Sequence, residues 1–268
     1  MILQTAEIHV EIVPDAGGKL AALRHRPSGR EWLLAPPGGR PAPAPYGSSF
    51  TDAPLWGWDE MLPTIEACWD LPDHGEVWAL PWTGEWRDGG LRCAVEGRAR
   101  PYRLVRDVAV AGATVTLAYE LSATETMPVL WAAHPQFVLD ATAVVLPDGE
   151  LMDVADGSRV AGAELLDPLR VVGAGAGRKL YADPEARVGS VALVDRAGPS
   201  LRLTWDPRQL PYLGIWVDRG VFAPRPVVVI EPASAYYDSL ERAVGLGRAA
   251  QVAPGRPLRW HLTVEVGP

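Results

Sequence analysis

The chain predicts a large antiparallel all-β sandwich, and three observations carry that prediction. Apolar and polar residues alternate with period two in segment after segment, helical periodicity is nearly absent, and turn signals break the chain at short intervals. Of 268 residues, 48% are apolar, which is enough for a sizeable core. No composition break divides the chain, so residues 1–268 read as a single domain.

The elements follow in order. Ile8, Val10 and Ile12 point one way while Glu7, His9 and Glu11 point the other, the pattern of a half-buried strand. Pro14-Asp15 and Pro27-Ser28-Gly29 supply the first turns. The Pro- and Gly-rich stretch 35–47 reads as a long surface loop or lid, because strands of the same kind flank it. Asp88-Gly89-Gly90 is a further turn, and alternation returns in Val115, Leu117, Tyr119 and Leu121. After Pro147-Asp148-Gly149 it appears again in Leu201 and Leu203, and in Leu213, Ile215 and Val217. Val227 to Ile230 is an unbroken apolar run, as expected of a strand buried on both faces. One short helix is expected from about Asp238 to Leu246, capped by Asp238 or Ser239. Pro254-Gly255 then leads into a last strand with Trp260, Leu262, Val264 and Val266 on one face.

Charge narrows the function classes. A formal net charge of -8 and a pI near 5.2 argue against nucleic acid or an anionic membrane as partner, since both need a basic footprint. A small neutral ligand fits better. Cys68 and Cys93 form neither a disulfide framework nor a metal spacing and read as free thiols in a reducing compartment. CxxC and HExxH motifs are absent, so no metal is expected. With no signal segment and no membrane-length apolar run, the expected location is the cytoplasm. A monomer and a homodimer are both compatible with the sequence.

The ionisable residues that alternation fails to explain are the candidates for chemistry. Glu231 ends the apolar run Val227–Ile230, and His134 sits between Val129–Ala133 and Pro135. Burying either group without a partner is costly, so an acid and a base at two strand mouths suggest proton transfer. His9 and His261 fall on polar strand faces, and His25 lies in a charged strand end. His74, in Asp73-His74-Gly75-Glu76, is left over like His134. The plain alternative for both is a hydrogen-bonded core histidine, and for Glu231 a buried ion pair.

Eleven tryptophans against three phenylalanines are a carbohydrate cue, because indoles stack on the apolar faces of sugar rings, although tryptophan is also ordinary core. Trp58, Trp78 and Trp216 are the candidates for stacking. Asp59 and Glu60 could bind ring hydroxyls, but neighbours on an extended segment point to opposite faces, so only one can face a pocket. Arg98, Arg100, Arg103 and Arg106 read as a solvated sheet face, with a phosphate site as the other option.

Several of these segments carry a resemblance. Pro14-Asp15-Ala16-Gly17-Gly18-Lys19-Leu20, His74-Gly75 leading to Pro81-Trp82, His134-Pro135-Gln136-Phe137, Ile230-Glu231-Pro232-Ala233-Ser234 through Asp238-Ser239-Leu240, and Ala253-Pro254-Gly255 together resemble the aldose 1-epimerase (galactose mutarotase-like) family, in the same order from about residue 7 to 266. The resemblance implies a β-supersandwich with the sugar in an open cleft on one sheet, and no cofactor. It also implies that Glu231 is the general base, His134 the general acid at the ring oxygen, and His74 a second, sugar-binding histidine. Mutarotation then follows. Glu231 takes the anomeric proton, His134 enters as imidazolium and protonates the ring oxygen, and reclosure on the other face reverses both steps. The neighbouring carboxylate is expected to raise the His134 pKa.

Two departures from the family pattern keep other readings open. No arginine occurs in Trp56–Pro63, where active hexose mutarotases carry one, and Gln136 and Val138 replace the usual neighbours of the histidine. The reading is a sugar 1-epimerase acting on a free aldose. The alternatives are a catalytically silent carbohydrate-binding or regulatory domain, and a sugar-phosphate 1-epimerase using Arg98, Arg100 or Arg103.

Overall fold

A computed structural model describes residues 1–36, 38–139, 142–145, 150–161, 172–195 and 199–267. Two antiparallel sheets dominate it, one of twelve strands and one of eight. The smaller sheet is built around the long strands Tyr102–Ala111, Thr114–Ala123 and Leu258–Gly267. In each, the apolar half of the alternation is buried; Val115, Leu117, Tyr119 and Leu121 are examples. These side chains meet Ile8, Val10, Ile12, Ile215, Val217, Val228 and Ile230 of the larger sheet in one hydrophobic cluster. Apolar area removed from water between the sheets is the main stabilising contribution to this arrangement.

The larger sheet carries a second apolar layer on its other face. Strand Val227–Ala233 shows the division: Val228 and Ile230 enter the cluster between the sheets, while Val227 and Ala233 join the outer one. Both faces are covered, which is why the run is continuously apolar. Glu231 belongs to the outer face by the same period of two, as does His134, since Ala133 faces the inner cluster and Ala132 the outer. Strands Trp58–Met61, Ala132–Pro135, Val227–Ala233, Tyr212–Asp218 and Gly177–Ala182 lie side by side in that order.

The helix runs Leu240–Gly245, and Ser239 is its cap, its side chain accepting from the Arg242 amide. The stretch 35–47 contains no strand or helix among its described residues, and Tyr46 fastens it by donating to Glu76 at 3.0 Å. Cys68 and Cys93 are buried and unpaired. The expected turn at Pro147-Asp148-Gly149 lies outside the described residues. No helix among the described residues is long and apolar enough to cross a membrane.

Candidate functional site

A cavity of about 280 Å³ opens on the outer face of the larger sheet, and His74, His134, Trp216 and Glu231 all line it. Glu231 and His134 reach it from neighbouring strands. The Glu231 Oε1 atom lies 3.7 Å from His134 Nε2, too far for a hydrogen bond, and accepts none from any other described residue. The Nδ1 atom of His134 is 3.1 Å from the amide nitrogen of Gln136, which can only donate, so a neutral ring carries its hydrogen on Nε2.

His74 comes from a connecting segment. Its backbone is left-handed (φ 58°), and Gly75 follows at φ 68°, where an added Cβ would stand 2.2 Å from the Leu62 carbonyl oxygen. Only glycine fits that approach. The ring is fixed by Asp73 Oδ1, 2.9 Å from Nδ1, and by Phe50, stacked at 4.3 Å between centroids. The two histidine rings meet edge to face at 5.3 Å.

Lys179 completes the site, and sequence reasoning missed it. It stands on strand Gly177–Ala182, opposite Trp216 in the register. Its ammonium donates to Glu231 Oε2 and lies 3.0 Å from Asp238 Oδ1, to which Tyr181 also donates. Gly214 stands between Tyr181 and Glu231 in the sheet. A Cβ there would be 2.8 Å from Glu231 Oε2 and 3.5 Å from Lys179 Nζ, so the missing side chain gives the pair its room.

Electrostatics sets the protonation states. Burial raises the Glu231 pKa, opposed by Lys179 and reinforced by Asp238. Burial works against the Lys179 charge, but Asp238 and Glu231 outweigh it and hold the ammonium above its ordinary range. His134 moves opposite to expectation: burial, followed by His74 and Lys179, pushes it well below the ordinary imidazole value. The nearby Glu231 carboxylate, 3.7 Å from Nε2, does not offset these effects. At neutral pH the His134 ring is uncharged.

Four residues expected to bind substrate stand elsewhere. Trp58 is fully buried in the cluster between the sheets, edge to face with Phe137. Glu60 points into the same cluster and pairs with Arg106 at 2.7 Å, so Arg106 is not on a solvated face either. Asp59 shares the His134 face but is fully buried in an ion pair with Lys19 and does not line the cavity. Trp78 packs against the edge of Phe50, and its Nε1 donates to the Asp73 carbonyl at 3.3 Å, behind the histidine instead of over the cavity. Trp216 alone of the three stacking candidates lines the cavity, its ring lying over Gly177, where a Cβ would be 2.2 Å from it. Phe222 continues this wall, 6.1 Å away. The buried Asp218 carboxylate positions it by accepting four backbone N–H groups, from Gly220 to Ala223. Among the described residues no group of three or more His, Cys, Asp or Glu side chains is placed to hold a metal ion.

No protein-family model matches the chain, and no curated protein matches it in sequence. Solved structures do. The Slr1438 protein of Synechocystis sp. PCC 6803 superposes with a TM-score of 0.78 at 14% identity, over 99% of this chain and 94% of that one. A galactose mutarotase related enzyme from Lactobacillus acidophilus gives 0.72 at 12% identity, over 100% and 97%. A galactose mutarotase-like protein from Lactobacillus casei ATCC 334 gives 0.70 at 15% identity, over 99% of each chain. The fold is that of the galactose mutarotase-like proteins.

Proposed function

We propose that this chain is a sugar 1-epimerase that interconverts the α and β anomers of a free aldose. The observation that carries the reading is Glu231, a buried carboxylate whose Oε1 atom has no hydrogen-bond partner among the described residues and whose residue lines a cavity that two histidines share. A general base with a raised pKa suits abstraction of the anomeric proton near neutrality. His134 presents Nε2–H to the sugar's ring oxygen, and His74 holds a hydroxyl. Trp216 stacks on a sugar face. In this reading residues 1–268 act as one cytoplasmic domain with no cofactor.

A free sugar is favoured over a sugar phosphate because Arg98, Arg100 and Arg103 do not line the cavity. Arg98 lies over the Tyr46 ring, Arg100 pairs with Asp70, and Arg103 with Glu96. The lining acids beside Glu231, among them Glu66 and Asp73, would repel phosphate.

Anomer-exchange NMR on glucose, galactose, xylose, arabinose and glucose 6-phosphate tests the reading. Exchange of a free sugar faster than buffer, reduced about 10²–10⁴-fold in Glu231→Gln, is expected. Sugar binding without accelerated exchange would replace the enzyme by a carbohydrate-binding domain.

A further inference from the structure

Ring opening needs two proton movements, and the site described so far explains only one. Glu231 can accept the anomeric proton. The ring oxygen must gain a proton as the C1–O5 bond breaks, and a neutral imidazole is a poor donor, since its loss of Nε2–H would leave an imidazolate. Gln136 reinforces the neutral state by donating to Nδ1, where an imidazolium would need an acceptor.

Lys179 is placed to supply that proton. Its ammonium carries three N–H bonds, of which Glu231 and Asp238 take two, and no further polar partner occurs among the described residues. Like Glu231, it lines the cavity. The anomeric and ring oxygens are both bonded to C1, so a carboxylate and an ammonium in contact with each other can serve both from one side. Resting on the epimerase reading, we propose that Lys179 is a catalytic residue, the general acid that protonates the ring oxygen while Glu231 Oε1 takes the anomeric proton.

The step balances. The O1–H bond breaks toward Glu231, C1=O1 forms, C1–O5 breaks, and the Lys179 proton passes to O5. The pair is left as carboxylic acid and neutral amine. Protonating Glu231 removes the charge that held the ammonium proton, so the two transfers promote each other. Reclosure on either face of C1 returns both protons.

Two measurements on free-sugar exchange test this. In wild type, the groups around Lys179 are Glu231, Asp238, Tyr181 and His134, while Asp153 on the adjoining strand pairs with Arg178. With an ammonium as acid, kcat stays level from pH 7 to 9. With a His134 imidazolium as acid, kcat falls as pH rises toward 7, and that result would overturn the proposal. The second measurement compares Lys179→Arg with Lys179→Gln, each checked for native near-UV circular dichroism. Arginine keeps the positive charge but is too weak an acid to give up its proton. Both variants are expected to lose about 10²–10⁴-fold in kcat with KM little changed. Added alkylammonium ions should restore Lys179→Gln in proportion to their acidity. Full activity in Lys179→Arg would make Lys179 a counter-ion only and overturn the acid role, leaving the epimerase reading in place. Wild type that accelerates no sugar would overturn both.

Discussion

Glu231 and Lys179 meet across an empty position in the sheet. The strand between them carries Gly214 at that level, and their contact passes over the place where any other residue would put a side chain. The Glu231 carboxylate is thus partnered on Oε2, through room that Gly214 leaves, and without a hydrogen-bond partner on Oε1 among the described residues.

Gly214→Ala tests this directly. The added methyl group, 2.8 Å from Glu231 Oε2, must displace the carboxylate or the lysine. Displacements near 1 Å at a reacting group can cost about 10²-fold. A fall of that order in kcat is expected, with the thermal midpoint within a few degrees of wild type. Unchanged exchange kinetics would show that the geometry of the pair is not critical.

Trp216→Ala should weaken sugar binding and spare the chemistry. Aromatic stacking contributes about 0.5–1.5 kcal/mol, which is roughly 2- to 13-fold in affinity. The expected result is a KM raised by about that factor with kcat close to wild type, read from anomer-exchange NMR over a range of sugar concentrations.

Arg106 and Glu60 form a fully buried pair between the sheets, with Tyr119 also donating to Glu60. Removing one partner leaves an uncompensated charge in the core and costs about 3–5 kcal/mol. Arg106→Leu is therefore expected to lower stability by that order in urea unfolding. Glu60→Leu combined with Arg106→Leu should recover much of the loss, because no lone charge then remains.

His134 makes stability pH-dependent in a defined direction. Its folded-state pKa lies well below the ordinary 6.5, so the folded chain prefers the neutral ring. The contribution is complete above pH 6.5 and is lost as pH falls from there through the lowered folded value. Denaturation midpoints from pH 7.5 to 4.5 should fall more steeply for wild type than for His134→Gln. Parallel curves would show that the ring is not held neutral by folding.

Much of this was legible from residue patterns. Glu231 and His134 stood out because each interrupts apolar sequence, and the same interruption is what places them at the edge of the cavity. Period two also carried information about Arg106. In strand Tyr102–Ala111 it falls on the face of Leu104 and Val108, which are buried, and that alternation marks it as inward-pointing. Lys179 left no comparable signal, since it follows Arg178 in a strand with two exposed-looking cations, and its partners are 52 and 59 residues away in sequence. Asp59 and Glu60 read as acids in the right region, but their cations, Lys19 and Arg106, come from strands 40 and 46 residues away in sequence. Only the assembled sheets show that both carboxylates are already paired.

The segment Asp73–Glu76 has a mechanical consequence. Asp73 holds the His74 ring and also accepts from the Phe50 amide at 2.8 Å, while Glu76 accepts from Tyr46, Tyr102 and the amides of Arg98 and Ala99. One four-residue stretch thus carries a cavity-lining ring and anchors two separate loops. The Asp73 carboxylate therefore ties the Phe50 backbone, at the rim of the cavity, to the ring of His74. One carboxylate serves both, so amide exchange at Phe50 is expected to quicken in Asp73→Ala, the same change that frees the His74 ring.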